Sequence, residues 1–354
     1  MVGYLTLVIT TLVFIAWNVM KVDPYFHYHA PDTEHFFYRL DNQRSQNDGI
    51  TRHFSYEGII TGTSMMENTK ASEAEHAFGV PFIKVCYEGG TFHEIWQSLE
   101  ATVRRNPKLK YVICGLDMDM FWDDWDKWRT DMGTYPKYLY DDHYYNDVAY
   151  LYNRDVVFNR IYMMEKEAGE PGFQGGVTSF DAYSNWMNDG YLFGTASVLG
   201  GQELYHGHKE VKDDLTLVEE ERIRMNIQRN VIELAAKNPQ ITFYCFFPPY
   251  SAVWWNASLA NGTLKKRVDA ERVVIEEMLK CKNIRLYSFN CLFDITTNLN
   301  HYKDMNHYGE WINSLLLQYM REERCLLTRD HYLDYLEEEY QFYSNYDYSL
   351  LEKR

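Results

Sequence analysis

Short apolar runs alternate with stretches whose apolar residues recur at helical spacing along most of this chain. Five runs read as strands: GIITG (58–62), PFIKVCY (81–87), KYVICGLDM (110–118), QITFYCFFPP (240–249) and NIRLYSF (283–289). Between them lie helical patterns. KASEAEHAFG is short. TFHEIWQSLEATVRRNP sets Phe92, Ile95, Trp96, Leu99 and Val103 on one face and stops at Pro107. TLVEEERIRMNIQRNVIELAAKNP, LKKRVDAERVVIEEMLKCK and YGEWINSLLLQYMREE (308–323) follow the same period. Strands separated by helices imply right-handed crossovers, a parallel sheet and helices on both faces. The expected class is a three-layer α/β/α fold with about five parallel strands.

Two stretches break the rhythm. Val2–Met20 carries no charge and, as a helix, would be roughly 29 Å long, about one bilayer core. No small-residue cleavage site follows it, only KVDPYFHYHAP, so it reads as an uncleaved membrane anchor. Lysine and arginine flank it too sparsely to orient it. From Trp122 to Leu215 roughly ninety residues intervene where a tight connection is expected. They are rich in tyrosine, tryptophan and aspartate, as in FWDDWDKWRTDMGTYPKYLYDD and FDAYSNWMNDGYLFG, and read as an inserted subdomain or lid. Aromatic faces beside carboxylates suit sugar rings as well as internal packing. The expected organisation is an anchor (1–21), a linker (22–54), an α/β domain (55–330, with the insertion at 122–215) and a C-terminal tail (331–354).

A formal net charge of −16 argues against nucleic acid as a partner, because phosphate binding needs a basic face. An aromatic content of 16 % favours a packed chain over a disordered one. The six cysteines lack CxxC spacing, so neither a zinc site nor a disulfide framework is indicated. Cys86, Cys114 and Cys245 read as small core residues. The sequence leaves Cys281 and Cys291 free to pair or to stay apart.

Ser64 follows the first strand and precedes a helix, where open parallel sheets bind ligands beyond the carboxyl ends of their strands. A nucleophilic serine needs a base and a group to orient that base. In HYKDMNHYGEW, Asp304 and His307 follow the fifth strand and so reach the same edge. D-x-x-H alone is a weak pattern; Asp32 and His35 match it too. Position distinguishes the second copy. FFPPYSAVWW after the fourth strand also reaches this edge, where Tyr250 and Trp254 are candidate walls of a substrate pocket.

GTS after the first strand, YEGG after the second and D-x-x-H before the last helix together resemble the SGNH (GDSL-type) hydrolase superfamily. The similarity covers residues 55–121 and 216–323. It implies a flavodoxin-like fold with Ser64 as nucleophile, His307 as general base and Asp304 as its orienting partner. It implies an oxyanion hole from the backbone N–H of Ser64 and of Gly89 or Gly90, where glycine permits close approach. No cofactor is needed. The family's third block normally supplies an asparagine within G-x-N-D; here GLDMDMF puts Asp117 in its place, a candidate member of the substrate pocket.

A similar loss of that asparagine is seen in membrane-anchored SGNH-like proteins that acylate cell-surface polymers. These include the D-alanyl-lipoteichoic acid transfer protein and the alginate O-acetylation proteins. The resemblance therefore implies a serine esterase or O-acyltransferase on the outer face of the cell membrane. A surface polysaccharide or teichoic-acid-like polymer would be the acceptor, and a membrane-bound acyltransferase the donor. The rival expectation is a catalytically inactive binding or scaffolding subunit of a polysaccharide-assembly complex, which Asp117 favours. A nucleotide-binding protein is a poor fit, because neither G-x-G-x-x-G nor a P-loop follows any strand.

The remaining signals are weaker. His27 with His29, and His206 with His208, are H-x-H pairs without a third metal ligand at set spacing. The acidic run Asp117, Asp119, Asp123, Asp124 and Asp126 lacks the order of a calcium loop. Asn256 and Asn261 sit in glycosylation sequons.

Overall fold

The computed structural model describes residues 1–131, 135–207 and 214–352, and the chain divides into two compact units. The first is formed by Met1–Ser55 with Thr130–Ser184. Helix α1 (Val2–Val22) is long and apolar enough to cross a membrane, with a mean hydropathy of 1.9 over a window that is only 6 % buried. It ends at Asp23, whose left-handed backbone (φ 46°) turns the chain sharply. The buried Asp23 carboxylate accepts the N–H groups of His27 (3.0 Å), Tyr28 (2.7 Å) and His29 (3.0 Å) and the Tyr150 hydroxyl (2.7 Å). Burial outweighs these four donors and leaves the carboxyl above its usual range.

The segment 22–54 is therefore not a linker. Tyr25 stacks on Tyr150, Phe37–Tyr38 pairs with Gly176–Val177, and α2 (Gln43–His53) buries its middle. Gly49 of α2 meets the carbonyls of Tyr25 and Phe26 so closely that a Cβ would lie 2.2 Å from the Tyr25 oxygen. Polar side chains also bond within this stretch, as where Gln46 donates to the Pro24 and Arg39 carbonyls.

The second unit comprises Tyr56–Arg129 and Asn185–Arg354. Its core is a five-stranded parallel sheet: β1 (Gly58–Thr61), β2 (Phe82–Lys84), β3 (Tyr111–Gly115), β4 (Thr242–Phe247) and β5 (Ile284–Ser288). The strand order is 2-1-3-4-5, with Ile59 opposite Val112 and Ile113 opposite Tyr244. Every residue of β1 and β2 is buried, as expected where helices cover a parallel sheet. Each predicted run holds the strand it was assigned.

The helices fall into two packed groups. In one, α3 (Ala71–Phe78) meets Glu310–Arg321. In the other, α4 (Phe92–Arg105) and Leu217–Lys237 pack together, and the latter meets Leu264–Met278. A Thr91–Glu94 capping box starts α4, and Phe92, Ile95, Trp96 and Leu99 are buried, as their spacing predicts. The predicted insertion does not stay whole: 130–184 belongs to the first unit and 185–215 to the second.

The C-terminal stretch is no loose tail. Cys325–Leu327 pairs along the edge of β5, and the helix Tyr332–Asn345 packs on Leu264–Met278. That contact buries two carboxylates, Glu271 and Glu339. Asn290 Nδ2 donates to both at 3.3 Å, and Ser288 Oγ donates to Glu271 at 3.1 Å. Burial raises Glu271 to about 7; burial and then the charge of Glu271 push Glu339 well above the usual carboxylate range.

Both folded values lie above the unfolded value of about 4.3. The fold thus holds more protons than the unfolded chain, and stability falls as pH rises from there through about 7. The thermal midpoint should be lower at pH 8 than at pH 5.5. Glu339→Gln should raise the pH 8 midpoint by a few degrees, at roughly 2–4 °C per kcal/mol recovered. An equal pH dependence in both proteins would contradict this reading.

Candidate active site

β1 runs into Gly62, whose φ of 139° suits glycine, and whose Cβ position is closed by Met66 Cγ at 2.5 Å. The following turn presents Ser64 at the carboxyl end of the sheet. Two side chains pin that turn from outside it. Asn313 donates to Met65 O (3.1 Å) and Thr69 Oγ1 (3.0 Å), and fully buried Lys84 donates to Glu67 O.

Ser64 Oγ lies 2.8 Å from His307 Nε2. On the far side of the ring, His307 Nδ1 is 3.0 and 2.9 Å from the two Asp304 oxygens. Asp304 also accepts the backbone N–H of Asn306 (2.9 Å) and of His307 (2.8 Å). Burial alone would raise the Asp304 carboxyl, but His307 and these two N–H groups outweigh it and hold it below its usual value.

An ionised carboxylate only accepts, so Nδ1 carries the ring proton and Nε2 presents a lone pair to the serine hydroxyl. The three residues that the sequence singles out are thus joined in one relay. The loop carrying His307 is fixed by the Tyr302–Tyr308 bridge, by Tyr302 OH donating to Pro249 O (2.7 Å) and by Ser251 Oγ donating to Met305 O (2.8 Å).

The two glycines of YEGG differ. Gly90 N–H donates to Tyr87 O at 2.7 Å, closing the turn before α4, so it is not available to an oxyanion. That expectation is corrected. Gly89 has a left-handed backbone (φ 52°), and its Cβ position is occupied by the Arg129 guanidinium, which donates to Glu88 O. No described residue accepts from the N–H of Ser64 or of Gly89. Tyr87 N–H donates to Gly62 O (2.8 Å), tying the glycine turn to the end of β1.

Asp117 follows β3. Its Oδ2 accepts from Thr63 Oγ1 at 3.0 Å and its Oδ1 from the Tyr250 hydroxyl. Burial raises its pKa; the two hydroxyls oppose the shift. Tyr250 and Trp254 do not line an open pocket, which corrects the sequence reading. Both are buried, their rings stack at 4.6 Å, and the Arg267 guanidinium lies 4.3 Å from the Trp254 ring. The chain turns at Pro248–Tyr250 and enters the helix Ala252–Ala260; Tyr250, just before the helix, bonds Asp117, and Trp254, on the helix, stacks behind Tyr250.

Sequence reasoning missed Trp186. Its Nε1 donates to Ser64 O at 3.2 Å, and its ring meets His307 edge to face at 5.8 Å. Lys303 Nζ lies 4.0 Å from the Trp186 ring centroid and 3.7 Å from that of half-exposed Tyr191. Burial lowers the Lys303 pKa against four nearby carboxylates. Nothing marks Trp186 among the aromatics around it in sequence; only the fold brings it to the serine.

The other candidates are engaged elsewhere. His27 Nε2 meets Asp147 (3.2 Å), and His29 meets the Ala30 and Met20 carbonyls. His206 pairs with Glu352, and His208 lies outside the described residues. Asp119, Asp123 and Asp124 pair with Arg267, Lys127 and Arg222. Among the described residues no group of three or more His, Cys, Asp or Glu could hold a metal ion. Among the described residues no two cysteines are bonded to each other, Cys281 and Cys291 included. Asn256 is buried and bonds both ways to the Tyr205 backbone, so its sequon is closed. No family model, curated protein or solved structure matches the chain.

Proposed function

We propose that this chain is a membrane-anchored SGNH-like serine acyl esterase or O-acyltransferase. The observation that carries the reading is the continuous relay from Ser64 through His307 to Asp304. The strand order 2-1-3-4-5 supports a flavodoxin-like architecture, with Ser64 and Asp117 following β1 and β3, the strands that flank the switch point where such sheets bind ligands.

Ser64 Oγ attacks an acyl carbonyl carbon as its proton passes to His307 Nε2. Asp304 holds the imidazolium. The oxyanion is received by the N–H of Ser64 and Gly89. His307 then gives its proton to the departing alcohol, leaving an ester on Ser64. A sugar hydroxyl or water, deprotonated by His307, attacks that ester and frees the serine. No step calls for a cofactor. The acceptor is a surface polysaccharide or teichoic-acid-like polymer and the donor a membrane-bound acyltransferase. The domain lies outside the cytoplasm, so protease added to intact cells should degrade it; protection would reverse the orientation.

The rival reading, an inactive scaffold subunit, draws on the carboxyl group at position 117. In the enzyme reading Asp117 is structural: Thr63 and Tyr250 occupy its oxygens, and it braces the residue before the nucleophile. Asp117→Asn should then leave turnover of an activated acetyl ester unchanged or lower it by about tenfold, the scale of one lost hydrogen bond. In the scaffold reading the carboxylate blocks chemistry. A silent wild type awakened by Asp117→Asn would establish the scaffold.

A further inference from the structure

The first unit exposes an apolar surface that the proposed chemistry does not use. Tyr144, Tyr145, Val148, Tyr152, Phe158, Tyr162 and Met163 are 71, 80, 60, 40, 62, 59 and 39 % exposed. Tyr144 and Tyr145 lie in a 3-10 turn, Val148 in the helical turn Val148–Leu151 with Tyr152 at its end, Phe158 in the π-helical turn Asp155–Ile161, and Tyr162 and Met163 in the helix that continues it. Soluble monomers seldom leave so many large apolar side chains together in water.

The neighbour of this surface indicates what covers it. Helix α1 packs on Val148–Leu151 and on the π-helical turn Asp155–Ile161. The Tyr152 hydroxyl donates to Leu12 O at 3.3 Å. Leu12 lies roughly 15 Å along the helix axis from Val22, about half the depth of a hydrocarbon core of ~30 Å. On α1 itself Leu5, Ile9, Leu12, Val13, Phe14 and Trp17 are exposed. The two surfaces meet where the Tyr152 hydroxyl reaches Leu12.

We infer that residues 144–163 form a second membrane-contacting surface, immersed in the lipid beside α1. The inference rests on α1 crossing the bilayer. Once it does, the contact at Leu12 sets Tyr152 within the lipid, and the residues on either side of it lie between that depth and the interface. The composition suits that place. Four tyrosines supply apolar rings with a polar tip, the pattern of interfacial belts. Exposed Arg154, Asn159, Glu165 and Lys166 border the apolar residues and can face headgroups, as in helices that lie in the membrane plane. Arg160, within the same stretch, is neutralised by Asp41 at 2.7 Å.

The test uses the full chain in vesicles of mixed neutral and anionic phospholipid. A lipid-soluble carbene probe is photolysed and the tryptic peptides are weighed. Label should appear on Asp155–Arg160 and Ile161–Lys166 as well as on Val2–Lys21, several-fold above Val273–Lys280 of the sheet domain. Phe158→Asp should cut the label on Asp155–Arg160 while the protein stays in the vesicles through α1. Label confined to Val2–Lys21 overturns the proposal and leaves the surface to a protein partner. A chain unlabelled everywhere overturns the anchor, and this surface with it.

Discussion

Ser64→Ala should lower turnover of an activated acetyl ester by about three orders of magnitude or more. The hydroxyl at 2.8 Å from His307 Nε2 is the group that would bond to the acyl carbon, so its removal leaves no covalent route. What would remain is water attacking an ester polarised by the backbone N–H of residue 64 and of Gly89. His307→Ala should cost a similar factor and, combined with Ser64→Ala, add almost nothing, because the two act as one unit. Additive losses would mean that they serve separate functions. Unchanged turnover in Ser64→Ala would remove the serine from the chemistry.

The second large effect is expected at Asp304. Asparagine preserves shape but can donate to His307 Nδ1, which favours the tautomer with its proton on Nε2. That nitrogen could no longer accept from Ser64. Substitutions of this kind cost about 10⁴-fold where the carboxylate is buried. The Asp304 side chain is 45 % exposed, so water can take over part of its function. A loss of roughly 10²- to 10⁴-fold in kcat is therefore expected, with KM little changed because Asp304 acts through His307. Its lowered pKa also bears on acid stability: the carboxylate contributes above the unfolded value of about 3.9 and the contribution is lost as pH falls through the lower folded value. A variant that keeps full kcat would place the orienting function elsewhere.

What could be read from the sequence was set by local patterns. Five apolar runs of strand length, with helices between them, announced a parallel sheet, since each run carries its own signal of burial. Ser64, Asp304 and His307 could be placed at one edge because each follows the end of a strand. Long-range pairing was hidden. The segments 1–55 and 130–184 form one unit through contacts such as Asp23 with Tyr150, and neither partner shows a pattern that requires the other.

Roles set by side-chain direction were hidden too. Gly90 and Gly89 are adjacent, but one N–H closes a turn and the other does not. Tyr250 and Trp254 reach the correct edge, yet both are turned into the interior, Tyr250 just before the helix Ala252–Ala260 and Trp254 on it. Trp186 and Asn313 touch the nucleophile's turn from distant stretches, and only the folded chain brings them there.

The central claim is that Ser64 is a nucleophile activated by His307. The most direct measurement treats the full-length protein with an active-serine phosphonate and sequences the tryptic peptide His53–Lys70 by mass. That peptide also carries Ser55, so the fragments must distinguish the two. A single phosphonyl adduct on Ser64, absent from His307→Ala, is the predicted result. No adduct on the folded wild type, or one that persists in Ser64→Ala on another residue, would contradict the account.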